Sequence, residues 1–402
     1  MANSLLTIDM ITRKSLEILE NNLVLSRNIN KEYDDSFAVE GAKIGSTLRI
    51  RLPDRALVTD GAALQVQDDN EQFTTLTVSS QKHIGINFTS AELTMQLDDF
   101  AERVLKPRIS QLASSVDADV ANAYKSIFNT VGTPGTTPAT ALVLLQAQQK
   151  LNESATPMSP RCATVNPAAN AGLVNGLSGF FNPVGTISRQ FKTGMMGEGV
   201  LGFDEMNMSQ SIVNHTTGSR AGTILVNETV STQGQATITL DGLTSTTTVT
   251  VGDVFTIADV FAVNPQTRLS TGSLQQFVVT AAQTASGSDM ANMAISPPMY
   301  TSSNALATID AFPANNAAVT FVGTASTVYP QNLVYHKNAI TLATADLLLP
   351  QGVDMASRQV HNGISMRIVR QYDINNDRMP CRVDVLYGFN TIRPPMACRI
   401  FG

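Results

Sequence analysis

Apolar residues recur at helical spacing, mostly three or four positions apart, in two stretches of the first third of the chain, and this period predicts amphipathic helices. The two stripes consist of Ile8, Ile11, Leu16, Leu19 and Leu23, and of Ile109, Leu112, Val116, Val120, Tyr124 and Ile127. The second helix could run from Lys106 to Phe128, since a Gly132-Thr133-Pro134-Gly135 breaker follows it. The first belongs to a segment over residues 1–45 whose stripe must pack on its own domain or on a neighbouring subunit. We expect a detachable arm, so that deletion of residues 1–25 leaves a folded monomer.

Strict alternation of apolar and polar residues replaces the helical period over residues 46–88. It is clearest in Thr47–Leu52 and Thr75–Val78, and it predicts two strands of a long β-hairpin. About 20 polar, irregular residues separate the two strands, which is long for a loop inside a compact domain. Such a segment more often contacts a partner.

Mixed patterns follow in residues 136–216 and 331–402. The first region predicts helices over Ala139–Leu151 and Pro167–Leu177 around a short strand at Cys162–Val165. The second predicts strands within Ala339–Leu349, Met366–Gln371 and Met379–Phe389.

Residues 217–330 differ in composition from the rest of the chain. Only 8 of these 114 residues are charged, against 52 of the other 288, and Thr and Ser are abundant. Short alternating runs lie at Ala236–Leu240, Thr248–Val251, Val254–Ile257 and Gln276–Val279. Many short strands between turn signals are typical of a small β-barrel, and the change in composition marks an insertion with its own core.

Charge and cysteine content exclude several classes of protein. The net charge of -6 gives no basic surface for sequence-specific nucleic-acid binding. Three widely spaced cysteines favour neither a disulfide framework nor a thiolate zinc site, and they suit a reducing, cytosolic origin. We find no targeting signal and no apolar stretch of about 18 residues, so no membrane association is expected.

Candidate chemistry is sparse. Gly197–Gly202 matches a dinucleotide-binding fingerprint, but the strand and helix that this fingerprint requires are not predicted around it, so a flexible glycine loop is expected. Four scattered histidines predict surface or strand-end positions rather than metal ligation. Asp117 and Asp119 point to different sides of the second helix and are interpreted as solvated charges. We therefore predict no enzyme, no catalytic residues, no cofactor and no metal.

The order of these elements resembles the major capsid proteins of tailed bacteriophages, and more closely the podovirus-type coat proteins with an inserted β-barrel domain. The resemblance rests on seven short stretches that keep their order along the chain: Asp98–Pro107, Leu201–Asp204, Asn214–Gly218, Gly252–Ile257, Leu274–Val279, Tyr335–Ala339 and Tyr387–Pro394. Each stretch alone is a weak signal, whereas the ordered set spans nearly the whole chain.

The resemblance implies an α+β capsid fold with an N-arm, an extended β-hairpin loop, a peripheral domain with a long spine helix, an axial domain and an inserted all-β barrel. On this chain the divisions are residues 1–45 for the N-arm, 46–88 for the hairpin loop, 89–135 for the spine helix, 136–216 for the first part of the axial domain, 217–330 for the insertion and 331–402 for the return through the axial and peripheral domains.

The implied function is that of a coat protein that self-assembles from pentamers and hexamers into an icosahedral shell around a double-stranded DNA genome. Scaffolding protein, portal protein and DNA bound without sequence specificity are the implied partners, and no cofactor is implied. The shell would form in the host bacterial cytoplasm and become the virion capsid. An encapsulin-like bacterial compartment is the closest alternative, followed by a β-rich adhesin or surface-layer protein and an enzyme.

Two segments are the expected contacts between subunits. The hairpin residues Arg51, Pro53, Asp54 and Arg55 should lie over an adjacent subunit, where exposed charges add register more than energy. The segment Asn264–Gly272 joins two predicted strands of the insertion and resembles the projecting loop that touches a neighbouring capsomer in this family. Its candidate contact residues are Asn264, Pro265 and Arg268.

Overall fold

The computed structural model describes residues 8–34, 46–53, 55–58, 61, 62, 66, 72–88, 104–177, 197–375 and 378–402. Strands predominate in these ranges. The α-helices are α1 (Ile8–Asn22), α2 (Lys106–Ala121), α3 (Ala141–Glu153) and α4 (Pro167–Leu177). The strands are β1 (Asn30–Asp34), β2 (Ser46–Arg51), β3 (Phe73–Val78), β4 (Ser80–Phe88), β5 (Thr130–Val131), β6 (Arg161–Val165), β7 (Gly197–Val200), β8 (Phe203–Met208), β9 (Asn214–Thr216), β10 (Gly222–Val226), β11 (Gln235–Leu243), β12 (Thr248–Val249), β13 (Val254–Val263), β14 (Ser270–Val279), β15 (Gln283–Thr284), β16 (Met290–Met299), β17 (Val319–Phe321), β18 (Val328–Pro330), β19 (Asn332–His336), β20 (Ile340–Ala345), β21 (Met355–His361), β22 (Ile364–Arg370), β23 (Met379–Thr391) and β24 (Ala397–Ile400).

The chain forms two compact units, and each unit draws on separated parts of the sequence. Unit 1 comprises Met1–Ile50, Phe73–Ala121 and Ile340–Ile392. Unit 2 comprises Arg51–Gln72, Asn122–Ala339 and Arg393–Gly402.

The sheet of unit 1 is built around the long strand β23. Its order is β1-β20-β23-β22-β21, and β4 pairs with β23 as well. β4 and β23 run antiparallel, with Tyr387 opposite Ser80 and Met379 opposite Phe88. β1 instead lies parallel to β20, with Asn30 opposite Thr341.

Helix α1 is part of the core of unit 1. Leu16, Leu19 and Leu23 are almost completely buried, and the helix packs against α2, β21 and β22. Burial of each leucine contributes about 1.5–3 kcal/mol. The expectation of a detachable arm is therefore wrong for this helix, since its apolar stripe has a partner within its own unit. Deletion of residues 1–25 should unfold unit 1.

Asp117 on α2 is buried and is not the solvated charge that was expected. Its carboxylate accepts hydrogen bonds from the backbone N–H groups of Val24 (2.6 Å), Leu25 (3.3 Å) and Ser26 (3.0 Å), and from the Ser26 hydroxyl (2.5 Å). These N–H groups follow the end of α1, so one acid on α2 fixes the direction in which the chain leaves the first helix. The helical period correctly placed Asp117 away from Asp119 but carried no sign of these donors.

Asp119 is also paired. Its carboxylate lies 2.7 Å from the Lys82 ammonium and accepts a 2.6 Å hydrogen bond from the Tyr387 hydroxyl. Lys82 is on β4 and Tyr387 on β23, so this acid ties α2 to the sheet.

The body of unit 2 is a sheet with the order β5-β24-β19-β6-β8-β7. Leu144 and Leu151 of α3 and Leu173 of α4 share one apolar cluster with Val334 and Ile400 of the sheet. Here the predicted helices and the predicted strand at Cys162–Val165 are confirmed.

Residues 217–330, called the insertion below, hold a second sheet of unit 2. Its order is β10-β11-β16-β14-β13-β17, and its core contains Phe255, Phe277 and Met293, all fully buried. Backbone hydrogen bonds also link β10 to the segment that precedes β17, because Val226 N–H donates to Ala317 (3.0 Å) and Val226 accepts from Asn316 (2.8 Å).

Other predictions differ from the structure in detail. The second helix ends at Ala121 and continues as a 3₁₀ helix over Asn122–Ser126, rather than remaining α-helical to Phe128. The glycine segment 197–202 is not a loop, since β7 and β8 pair there as an antiparallel hairpin with Val200 opposite Phe203. Its turn residues, Leu201 and Gly202, have positive φ angles of 50° and 76°.

Within the described residues, no helix is both long and apolar enough to cross a membrane.

Candidate assembly interface

The predicted hairpin forms, as β2 and β3 make a two-stranded sheet of their own. The guanidinium of Arg49 lies 3.7 Å from the centre of the Phe73 ring, a cation–π contact that joins the two strands. Beyond β2, the side chains of Arg51, Pro53 and Arg55 are exposed. Asp54 lies outside the described residues.

The loop between β13 and β14 is held by its own first residue. The Asn264 side-chain oxygen accepts from the backbone N–H groups of Gln266 (2.9 Å) and Thr267 (3.1 Å), and its backbone oxygen accepts from Arg268 (2.8 Å). This is the local chemistry by which asparagine begins a turn. Its amide nitrogen also donates to the Glu153 carbonyl at the end of α3 (3.2 Å). Asn264 is thus an anchor for the loop.

The opposite end of this loop is the exposed part. Arg268 has a positive φ of 57°, and the neighbouring Leu269 side chain is 69% exposed. The guanidinium of Arg268 donates to the backbone oxygen of Val58, in the hairpin loop, at 3.4 Å. The two predicted contact segments are therefore neighbours within one subunit, which the sequence did not indicate.

A cavity of about 90 Å³ lies beside these segments in unit 2. Arg55 and Pro265 line it together with Lys150 and Glu153 of α3 and with Leu274 of β14. Lys150 and Glu153 form an ion pair across 3.4 Å. The structure thus brings Arg55 and Pro265, from the two predicted segments, to the same depression.

A buried polar cluster in unit 2 was missed by sequence reasoning. His215 Nε2 lies 3.1 Å from the Asp253 carboxylate, and its Nδ1 lies 3.0 Å from the Tyr124 hydroxyl. An Nε2–H that donates to Asp253 leaves Nδ1 to accept the Tyr124 proton, so each polar atom of the ring is satisfied. All three side chains are buried, which corrects the expectation of a surface or strand-end histidine at position 215.

Two arginines complete this cluster. The Arg220 guanidinium lies 3.8 Å from Asp253, and Arg399 donates to the Gly252 carbonyl at 2.7 Å. Burial alone raises the pKa of Asp253, but the hydrogen bond with His215, the Arg220 charge and two backbone N–H groups outweigh it and hold the pKa below its usual range. The residues come from distant parts of the sequence. The only sign of this cluster in the sequence was the charged residue Asp253 within a nearly uncharged region.

No reactive thiol accompanies this cluster. Cys162, Cys381 and Cys398 are buried and unpaired, and burial raises the pKa of each thiol to about 12. A thiol with so high a pKa is almost entirely protonated at neutral pH and therefore a poor nucleophile. Among the described residues, no group of three or more His, Cys, Asp or Glu side chains is arranged to hold a metal ion.

Comparison with models of known protein families identifies the family of this chain. The model described as "P22 coat protein - gene protein 5" matches residues 1–402. The chain belongs to the P22 coat protein family. Like the other members of this family of structural capsid proteins, it is a major capsid protein of a bacteriophage. A comparison with curated protein sequences found no match.

Solved structures from two phages and of one virus-like particle are similar to this P22-type coat protein over nearly its whole length. The capsid of Ralstonia phage GP4 has 9% identity and a TM-score of 0.45, covering all of this chain and 93% of that one. A Mycobacterium phage Che8 structure has 10% identity and a TM-score of 0.44, covering 94% and 90%. A virus-like particle from Pyrococcus furiosus has 9% identity and a TM-score of 0.35, covering 97% of both chains.

Proposed function

We propose that this coat protein assembles from pentamers and hexamers into a closed icosahedral shell around double-stranded DNA. The full-length match to a coat protein family carries the proposal. Scaffolding and portal proteins are the proposed assembly partners, and the host cytoplasm is the proposed place of assembly. The net charge of -6 supports a shell that contains DNA without binding it tightly.

The proposed element assignment follows the order of the fold. Helix α2 is the spine helix, β2 and β3 form the extended loop, and the insertion is a closed β-barrel. The hydrogen bonds between Val226 and residues Asn316 and Ala317 support closure, because they join β10, at one edge of the six-stranded sheet, to the segment that leads into β17 at the other edge.

Electron microscopy of the expressed protein tests the assembly proposal. Closed shells are expected, and nucleic acid inside particles isolated from infected cells would distinguish a phage capsid from a cellular compartment. A protein that stays unassembled in the presence of its scaffolding protein would contradict the proposal.

The hairpin is tested by reversing two exposed charges. We expect Arg51→Glu with Arg55→Glu to lower the particle yield, because both side chains are exposed beyond β2 on the segment proposed to cover a neighbour. Arg13→Glu with Lys106→Glu imposes the same change in net charge on exposed helical positions and serves as the control. Equal losses in the two variants would assign the effect to net charge, and unchanged yield in the hairpin variant would refute the interface.

The loop of the insertion is tested at Arg268. Its contact with Val58 is a single long hydrogen bond at an exposed site, so Arg268→Ala should leave the subunit folded. A role in bridging capsomers predicts a change in particle size or yield, measured by sedimentation and microscopy. Gln266→Ala in the same loop is the control, and wild-type particles from Arg268→Ala would rule the bridge out.

A further inference from the structure

A small cavity adjoins the buried cluster around Asp253. It has a volume of about 20 Å³ and is lined by Arg399, His215 and Thr217, among others. By the measure of one water-sized sphere, which requires roughly 10–15 Å³, this space accepts one small occupant. Every lining residue belongs to unit 2.

Two guanidinium groups near this cavity have N–H groups that lack a hydrogen-bond acceptor. Arg399 is 2% exposed, and only its Nη1 has acceptors, the Gly252 carbonyl at 2.7 Å and the Gln331 side-chain oxygen at 3.4 Å. Among the described residues, Arg399 Nε and Nη2 and Arg220 Nε have no hydrogen-bond partner. A buried donor without an acceptor costs about 1–3 kcal/mol, and more when it is charged.

The carboxylate of Asp253 does not accept hydrogen bonds from these unpartnered guanidinium N–H groups. One oxygen is engaged by His215 and faces Arg220, and the other accepts the backbone N–H groups of Gly218 (3.1 Å) and Thr250 (2.9 Å). Asp253 is the one carboxylate among the residues that line the cavity within the described chain. Two buried guanidinium charges thus face one carboxylate charge, and one positive charge is left over.

An occupant of this cavity must accept hydrogen bonds from guanidinium groups and fit a space of one water-sized sphere. A water molecule would supply lone pairs but leave the charge unbalanced, and an uncompensated buried charge is strongly unfavourable. Carboxylates and phosphates are larger than a single halide ion, which supplies the missing charge in the smallest space. We propose that the cavity is a buried site for one small monovalent anion of halide size, held chiefly by Arg399.

Such an anion would join segments that are distant in sequence. Arg399 lies on the last strand, His215 precedes the insertion and Asp253 lies within it. Because an anion that binds the folded state and not the unfolded chain stabilises the fold by mass action, unit 2 should become more stable as chloride increases. This property is independent of shell assembly.

Bromide replaces chloride in the direct test because its anomalous scattering identifies it. Crystals of the full-length chain are soaked in sodium bromide, and data are collected at the bromine absorption edge. An anomalous peak in the cavity next to Arg399 is expected. A cavity that contains water, or no ordered occupant, after the soak would overturn the proposal.

Thermal unfolding gives a second test in solution. At constant ionic strength, replacing sodium gluconate with sodium chloride should raise Tm saturably, by roughly 2 °C. Arg399→Met should abolish this dependence, whereas Arg161→Met, which also removes a buried arginine with an unpartnered N–H but does not line the cavity, should retain it. If Arg399→Met does not fold, Val322→Ile narrows the cavity wall instead and should weaken the dependence. Equal Tm values of the wild type in the two salts would refute the site.

Discussion

The sheet of unit 1 and the insertion stabilise themselves by different means. In unit 1, buried carboxylates hold charged partners or backbone donors: Asp117 binds the distant chain segment after α1, and Asp384 on β23 pairs with Arg367 on the neighbouring strand (2.7 Å) and Arg382 on its own strand (2.6 Å). In the insertion, the core is apolar and is centred on Phe255 and Phe277, whose rings stack at a centroid distance of 5.6 Å.

The difference follows from how each part is made from the sequence. The insertion is one continuous stretch, so its six-stranded sheet needs no strand from elsewhere in the chain and an apolar core suffices. Unit 1 is assembled from three separated stretches. There, Asp117 joins the first stretch to the second by hydrogen bonds, and a buried charge without such partners is strongly unfavourable.

Truncation of an aromatic core residue should cause the largest effect. Phe277→Ala removes a fully buried ring and should destabilise the insertion by about 3–5 kcal/mol, because it leaves a cavity in a packed core. Chemical denaturation followed by circular dichroism measures this loss. Leu269→Ala, at an exposed position of the insertion, should change stability by less than about 0.5 kcal/mol. Similar losses in the two variants would show that the apolar core does not dominate.

Removal of one buried charge should have the next largest effect. Asp117→Asn places an amide nitrogen where backbone donors converge, so we expect a loss of about 2–4 kcal/mol and faster hydrogen exchange at Val24–Ser26. Asp119→Asn, at a half-exposed site, should cost about 1 kcal/mol. If Asp117→Asn is as stable as the wild type, the contrast between the two regions fails.

Acid should weaken the buried polar cluster around Asp253. Because the folded-state pKa of Asp253 lies below its unfolded value of about 4, its contribution is complete above that pH and is lost as pH falls through the folded pKa. The slope is at most about 1.4 kcal/mol per pH unit for this group. Asp253→Asn should flatten the acid limb of a plot of stability against pH, whereas Asp289→Asn, at an exposed position, should leave it unchanged. Parallel curves for all three proteins would exclude a role for Asp253.

The smallest effect concerns thiol chemistry. Cys162, Cys381 and Cys398 should react with a maleimide or disulfide reagent at pH 8 far more slowly in the folded protein than after denaturation, since burial raises each thiol pKa to about 12. Mass spectrometry counts the labelled cysteines. Rapid labelling of all three without denaturant would contradict their burial.

Local patterns predicted the elements better than their connections. The stripe on α2, the helix α4 and the strand β6 follow directly from apolar spacing and helix-starting residues. The hairpin β21–β22 was not predicted, although Asn362-Gly363 carries its signal and both residues have positive φ, at 47° and 74°.

The buried polar clusters could not be predicted, because their members are far apart in the sequence. Asp117 meets donors 91 to 93 positions away, and Asp253 meets His215 across 38 positions. Periodicity gives the face of an element on which a side chain lies, but not which other element covers that face. The contact of Arg268 with Val58, 210 positions apart, was hidden in the same way.

Because β1 pairs with β20, it can join its sheet only late in translation. Asn30 lies opposite Thr341, so about 310 residues must be translated before β1 meets its neighbour, which takes roughly 15–60 s at a bacterial ribosome. The insertion is complete before β20 emerges and can fold in the meantime. Throughout that interval β1 has no sheet to join, and its backbone donors and acceptors stay open to pairing with other chains.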